Sequence, residues 1–85
     1  MVIDLAKYDR SKSLALSYFR SRHGEKDIKR GISMCAYIYV VPAIVAAYWI
    51  GEETNWHPDA LSSIKRLAEF YDYDEILGKP PGAPI

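Results

Sequence analysis

The chain has 85 residues, which allow a single domain with little interior, and its 11 basic and 11 acidic side chains balance. This neutral balance argues against a dedicated nucleic-acid binder, and the single cysteine excludes an internal disulfide. The charges are unevenly distributed, because residues 1–30 hold eight basic and four acidic side chains, whereas residues 52–85 hold three basic and seven acidic ones.

The basic N-terminal segment, residues 1–30, contains a predicted short amphipathic helix. Within the stretch DRSKSLALSYFRSRHG, Asp9 or Ser11 is a plausible N-cap, Leu14 and Tyr18 fall four residues apart on one face, and Gly24 is a natural stop. Such a helix fits either against lipid phosphates at a membrane surface or against a partner protein. The segment also has the Arg and Ser content of a retained mitochondrial targeting signal, although its acidic residues depart from that pattern.

The central run GISMCAYIYVVPAIVAAYWIG, residues 31–51, has no charged side chain. A helix of this length is about 31 Å long, and the hydrocarbon core of a bilayer is about 30 Å thick. We therefore predict a single transmembrane helix over residues 31–51. The alternatives are a buried core helix of a soluble domain and a strand pair built on YIYVV. A signal peptide is rejected, because its apolar region would be shorter and nearer the N-terminus.

The flanks of the predicted span indicate its orientation. Basic residues favour the cytoplasmic or matrix side of a membrane, which places residues 1–30 on that side and residues 52–85 on the opposite side. Basic and amphipathic aromatic residues at the two ends are predicted to anchor the span at the membrane interfaces. These predicted anchors are Lys29, Arg30, Tyr48, Trp49 and Trp56.

Small side chains recur every three or four residues along one side of the predicted span. Such a seam lets another transmembrane helix approach closely. The predicted helix-packing face consists of Ala36, Val40, Ala43, Ala47 and Gly51. The neighbouring proline at position 42 is expected to bend the helix.

The acidic C-terminal segment, residues 52–85, contains a further predicted amphipathic helix over about residues 58–76. Pro58 suits the first helical position, and Asp59 places a negative charge in the first turn, where it favours the helix dipole. The tail, residues 77–85, contains three prolines and is predicted to be extended. The predicted fold class is therefore all-α: a single transmembrane helix flanked by a short N-terminal amphipathic helix and a C-terminal helix with an extended tail.

The sequence offers little that indicates catalysis. His23 and His57 stand on opposite sides of the predicted membrane, so they are not expected to share a metal ion. Cys35 lies inside the predicted span, where a thiol behaves as a small apolar group. The acidic cluster in residues 72–75 is interpreted as a docking surface for a basic partner or a solvated patch rather than a cation site. We predict no enzyme activity, no catalytic or metal-binding residue and no cofactor.

The architecture resembles that of the small single-span accessory subunits of mitochondrial respiratory complexes and ATP synthase. The stretch RLAEFYDYDEI, Arg66–Ile76, is similar to the region after the span in the subunit of cytochrome c oxidase called VIc. The resemblance implies a non-catalytic accessory subunit of a respiratory complex, such as cytochrome c oxidase or complex I, that supports assembly and stability by helix packing. It also implies the mitochondrial inner membrane, with the N-terminus in the matrix and the C-terminus in the intermembrane space.

Several alternatives fit the same features. The chain is also compatible with an ATP synthase accessory subunit, with a small single-span regulatory peptide of a transporter, or with a soluble helical interaction module. A bacterial inner membrane or a thylakoid membrane is the alternative location. The expected partners are other membrane subunits of a large complex and the lipid bilayer, without nucleic acid.

Overall fold

The computed structural model of the chain describes residues 5–70, and these residues form an all-helical structure. Its four α-helices are α1 (Asp9–Arg22), α2 (Ile28–Tyr39), α3 (Ala43–Glu53) and α4 (Pro58–Leu67). Short 3₁₀ turns at Leu5–Tyr8 and Gly24–Lys26 precede α1 and α2. The predicted C-terminal helix thus begins at the expected proline but ends at Leu67. Residues 71–85, which include the acidic cluster and the predicted tail, lie outside the described residues.

The predicted transmembrane helix over residues 31–51 is wrong. The uncharged run is divided between α2 and α3, and Val40 between them adopts the left-handed conformation, with φ 52° and ψ 53°. Pro42 stands immediately before α3, and its missing amide hydrogen cannot continue the hydrogen-bond ladder of α2. Within residues 5–70, no helix is both long and apolar enough to cross a membrane. This finding overturns the single-span fold class and the description of the chain as a single-span membrane protein.

Local hydrogen bonds close the break between the two helices. The amide of Val41 donates to the carbonyl of Ala36 at 3.1 Å and so satisfies one of the last carbonyls of α2. On the other side, the carbonyl of Pro42 accepts from the amides of Val45 and Ala46 at 3.0 and 3.2 Å. The proline therefore acts as the start of α3, where its fixed φ is tolerated.

Helix α3 occupies the centre of the fold. Seven of its 11 residues are buried, and α1, α2 and α4 all contact it. The predicted single helix would be about 31 Å long, whereas α3 is about 16 Å long. The break therefore reduces the length of apolar helix that the other helices must cover. Three short helices can then bury it by supplying side chains such as Phe19 of α1 and Ile64 of α4, both 2 % exposed. Since α2 packs against α3, one half of the uncharged run also covers part of the other half.

Opposite charges also meet across the fold. Arg20 of α1 donates two hydrogen bonds to the carboxylate of Glu53 at the end of α3, at 2.8 and 2.7 Å. Lys12 and Glu52 approach each other to 3.9 Å in the same region. The basic N-terminal segment thus lies against the first residues of the acidic C-terminal segment.

Candidate functional site

The five residues of the predicted helix-packing face do not form one seam. Ala36 lies in α2, whereas Ala43, Ala47 and Gly51 lie in α3, and Val40 stands at the break between the helices. Ala47 and Gly51 are buried, Ala36 and Ala43 are half-buried, and Val40 is 81 % exposed. A continuous helix would align these side chains, but the change of direction at residues 40–42 separates them.

Gly51 nevertheless has a clear packing role inside the chain. A Cβ atom added there would overlap the ring of Trp56, so the missing side chain allows that ring to lie against α3. The Trp56 amide donates to the carbonyl of Gly51 at 2.6 Å, and its ring meets the Tyr48 ring edge-on at 5.1 Å. The small residue thus accommodates an aromatic residue of the same chain rather than a second transmembrane helix.

The predicted membrane anchors occupy two different environments. Lys29 and Arg30 are exposed in the first turn of α2. Trp49 belongs to the core at 6 % exposure, and Tyr48 and Trp56 pack against each other. The aromatic cluster at the end of the uncharged run therefore has packing partners within the protein, which explains its composition without a lipid interface.

Two of the residues considered for chemistry, Cys35 and His57, have structural roles. Cys35 is completely buried, its thiol donates to the Ala15 carbonyl at 3.4 Å, and burial raises its pKa to about 11. A thiol that stays protonated at neutral pH is a poor nucleophile. The Nδ1 atom of His57 accepts the amide hydrogen of Asp59 at 3.1 Å and caps α4. Among residues 5–70, no three His, Cys, Asp or Glu side chains are grouped as a metal site would require.

The structure reveals a pocket that the sequence reasoning missed. It has a volume of about 400 Å³ and lies where α1 turns into α2. Its lining, called the basic pocket below, consists of Tyr18, Arg22, His23, Lys26, Asp27, Arg30 and Met34. Three of these side chains are cations and one is a carboxylate, so the pocket carries a positive charge.

The cations of the basic pocket are largely uncompensated. Arg22, Lys26 and Arg30 form no ion pair with any described residue. The carboxylate of Asp27 accepts the backbone amide of Arg30 at 3.3 Å and thereby caps α2. Its charge is therefore placed at the helix N-terminus, where it stabilises the helix dipole.

An aromatic wall and a polar atom without a partner complete this pocket. The Tyr18 ring lies 5.6 Å from the His23 ring and 5.7 Å from the guanidinium carbon of Arg22, measured from ring centroids. The Nε2 atom of His23 is buried and has no hydrogen-bond partner among residues 5–70. A buried nitrogen without a partner is costly, so the imidazole would gain a hydrogen bond if it turned this atom toward a ligand in the pocket.

One sequence signal for the basic pocket was available. Five of its residues recur at intervals of four along the chain: Tyr18, Arg22, Lys26, Arg30 and Met34. The excess of basic residues in this region is interpreted above as a sign of membrane orientation. The four-residue spacing continues past Gly24, where a helix end is predicted, so it does not indicate one helix face. Only the turn between α1 and α2 shows that these residues line one concavity.

A second surface stands out at the junction of α2 and α3, and residues 37–42 are called the α2–α3 corner below. Tyr37 and Val40 are 80 % and 81 % exposed, and Ile38 is 41 % exposed. The corner belongs to the uncharged run, so it is an apolar projection without a charged side chain.

Comparison of the chain with protein-family models, curated proteins and solved structures finds no match.

Proposed function

We propose that this chain is a non-catalytic accessory subunit that binds a partner protein through the α2–α3 corner. The partner surface is apolar, because the corner presents no charge. An energy-converting complex, the setting implied by the resemblance described above, is one assembly that offers such a partner. The proposal does not require this chain to cross a membrane.

The observation that carries the proposal is the conformation and exposure of Val40. A β-branched residue in the left-handed region is a true backbone outlier and costs about 1–2 kcal/mol. The side chain is 81 % exposed, so burial within the chain does not offset that cost. Strain of this kind concentrates at functional positions, and a partner that buries the Val40 side chain would restore the lost free energy.

Tyr37 supports the same interpretation. Its ring stands in solvent one helical turn before the break, at 80 % exposure. Tyrosine is enriched at the energetic centres of protein interfaces, because it combines a large apolar ring with a hydroxyl group. We therefore expect the partner to bury this ring and to present a hydrogen-bond acceptor to its hydroxyl.

The test is affinity purification of the tagged full chain from its native cells, with quantitative identification of the proteins that accompany it. Two variants, Tyr37→Ala and Val40→Asp, alter the corner, and Phe70→Ala is the matched control, because Phe70 is an aromatic residue with 72 % exposure after α4. We expect each corner variant to lose at least about tenfold of the bound partner, as interface hot spots do, while the control retains it.

Two further measurements complete this test. Urea unfolding of each variant checks that a loss of partner does not come from a loss of folding. A constant molar ratio between chain and partner supports an accessory subunit, whereas a low and variable ratio supports the reversible regulator considered above. If the corner variants retain their partner, or if Phe70→Ala loses it equally, the corner is not the interface and the proposal fails.

A further inference from the structure

We propose that the basic pocket between α1 and α2 is a binding site for a phosphomonoester. The proposal concerns residues that the α2–α3 corner does not contain, so it goes beyond the accessory role. It rests on three features of the pocket: its charge, its unsatisfied donor and its shape.

The charge of the pocket matches a dianion. Arg22, Lys26 and Arg30 supply three positive charges, and Asp27 supplies one negative charge. A phosphomonoester carries a charge of about −1.5 to −2 at neutral pH, close to the excess of the pocket. The two guanidinium groups add planar pairs of donors, which suit phosphate oxygens better than a single ammonium group does.

The placement of the cations is a product of the turn. Arg22 is the last residue of α1, Lys26 closes the 3₁₀ turn, and Arg30 lies in the first turn of α2. The chain reverses between them through Gly24, which has a positive φ of 55°. Like charges gathered in this way repel one another, and within residues 5–70 no carboxylate forms an ion pair with them. A bound anion would remove that repulsion.

His23 contributes a ring nitrogen that has no hydrogen-bond partner among residues 5–70. Its Nε2 atom is buried without a partner in the described structure, although its ring is held against the Tyr18 ring. With the hydrogen on Nε2, an imidazole that rotates this atom toward the pocket would donate to a phosphate oxygen placed there. Formation of that bond would satisfy a buried polar atom, which is a general source of ligand affinity.

The shape of the pocket indicates a small organic phosphate rather than a nucleic-acid strand. A volume of about 400 Å³ falls in the range of small-molecule sites. The Tyr18 ring and the Met34 side chain form an apolar part of the lining beside the cations, which suits the organic portion of a monoester. A nucleic-acid surface would instead require a basic stripe on a strongly positive chain, whereas this chain is neutral.

Isothermal titration of the full chain with phenyl phosphate tests the site. Arg30→Gln removes a lining cation, and Lys29→Gln is a matched control that removes the same charge from the adjacent exposed residue outside the pocket. We expect one phenyl phosphate per chain, at least about tenfold weaker binding for Arg30→Gln, and a change within about twofold for Lys29→Gln, whose side chain does not line the pocket. His23→Ala is expected to weaken binding as well, through the lost donor.

Two ligand controls separate phosphate chemistry from general anion attraction. Benzoate and phenyl sulfate carry the same ring with a single negative charge, and we expect both to bind at least about tenfold more weakly than phenyl phosphate. Vesicles of phosphatidylcholine with and without phosphatidic acid distinguish the source of the phosphate. Binding of phenyl phosphate without vesicle binding supports a soluble ligand, whereas additional binding to phosphatidic acid supports a lipid headgroup with the same terminal group.

The proposal is overturned if phenyl phosphate does not bind, or if benzoate binds as tightly. It is also overturned if Lys29→Gln weakens binding as much as Arg30→Gln, because general electrostatic attraction to this basic region would then explain the affinity. Urea unfolding of every variant verifies that the fold is retained. Since these variants leave residues 37–42 unchanged, failure here is distinguishable from failure of the partner-binding proposal.

Discussion

The two halves of the uncharged run have similar side chains but opposite surroundings. In α3, Ile44, Val45, Ala46 and Ala47 are all 0 % exposed, whereas Tyr37 and Val40 in the preceding half are about 80 % exposed. The difference comes from position, because α3 has α1, α2 and α4 around it and the end of α2 projects beyond them. Apolar content alone therefore does not determine which residues form the core.

The first half of the run is buried on one side only. Ile32 and Cys35, together with Ile28 just before the run in the same helix, face the core at 3 % exposure or less, and their spacing of four and three residues is that of an amphipathic helix. Helix α3 is instead buried on most of its circumference. The uncharged residues of α2 that point away from the core are therefore available to a partner, which is why we assign function to the α2–α3 corner and stability to α3.

The largest effect is expected in the core of α3. Ile44→Ala removes a fully buried side chain and should lower the free energy of unfolding by about 3 kcal/mol, through lost burial and the cavity left behind. Ile38→Ala, at 41 % exposure, should cost less than about 1 kcal/mol. Urea denaturation followed by circular dichroism measures both. Equal losses would show that the two halves of the run do not differ in burial.

Gly51→Ala tests the packing of Trp56 on α3. The new methyl group overlaps the indole ring, so we expect a loss of about 1–2 kcal/mol despite the higher helix propensity of alanine. The measurement is thermal unfolding together with the near-ultraviolet circular dichroism of tryptophan. Ser33→Ala, on the exposed side of α2, is the control and should have little effect. A Gly51→Ala variant more stable than wild type would contradict this packing.

Val40→Asn tests whether the left-handed conformation of Val40, in the α2–α3 corner, lowers the stability of the fold. Asparagine tolerates the left-handed conformation, so we expect the free energy of unfolding to rise by about 1 kcal/mol. The same change at Ser33, an exposed helical position, should alter it by no more than about 0.5 kcal/mol. Chemical denaturation measures both variants. A destabilised Val40→Asn chain would mean that the valine side chain supports the fold and is not reserved for a partner.

The smallest effect is expected for the exposed ion pair between α1 and α3. Hydrogen bonds from Arg20 hold the pKa of Glu53 below its usual value of 4.5. A carboxylate with a lowered pKa stabilises the folded state above the unfolded pKa, and this contribution is lost as the pH falls through the folded value. Glu53→Gln should therefore reduce the acid dependence of the melting temperature below about pH 4.5.

Glu25→Gln is the control for this measurement, since Glu25 is exposed and forms no ion pair with another described residue. Its melting temperature should follow the wild-type pH profile. The difference between the two variants is expected to be small, because exposed pairs contribute little to stability. An unchanged profile for Glu53→Gln would show that the pair does not join α1 to α3 in solution.

Local sequence signals determined several elements of this protein. The stretch from Asp9 to Gly24 predicts a helix and corresponds closely to α1, Asp9–Arg22. Pro58 begins α4 as predicted, with Asp59 in its first turn. These signals act within one or two helical turns, so neighbouring residues suffice to specify them.

The centre of the chain and its binding surfaces were decided by tertiary structure. Hydropathy over residues 31–51 is the same whether lipid or other helices surround them, and Pro42 indicates a bend without showing how far the chain turns. Coverage of α3 depends on helices far along the sequence, and the basic pocket depends on a reversal that brings Arg22 and Arg30 to one concavity. Burial and electrostatic proximity are properties of the packed chain, and therefore only the fold distinguishes a buried α3 from a membrane span.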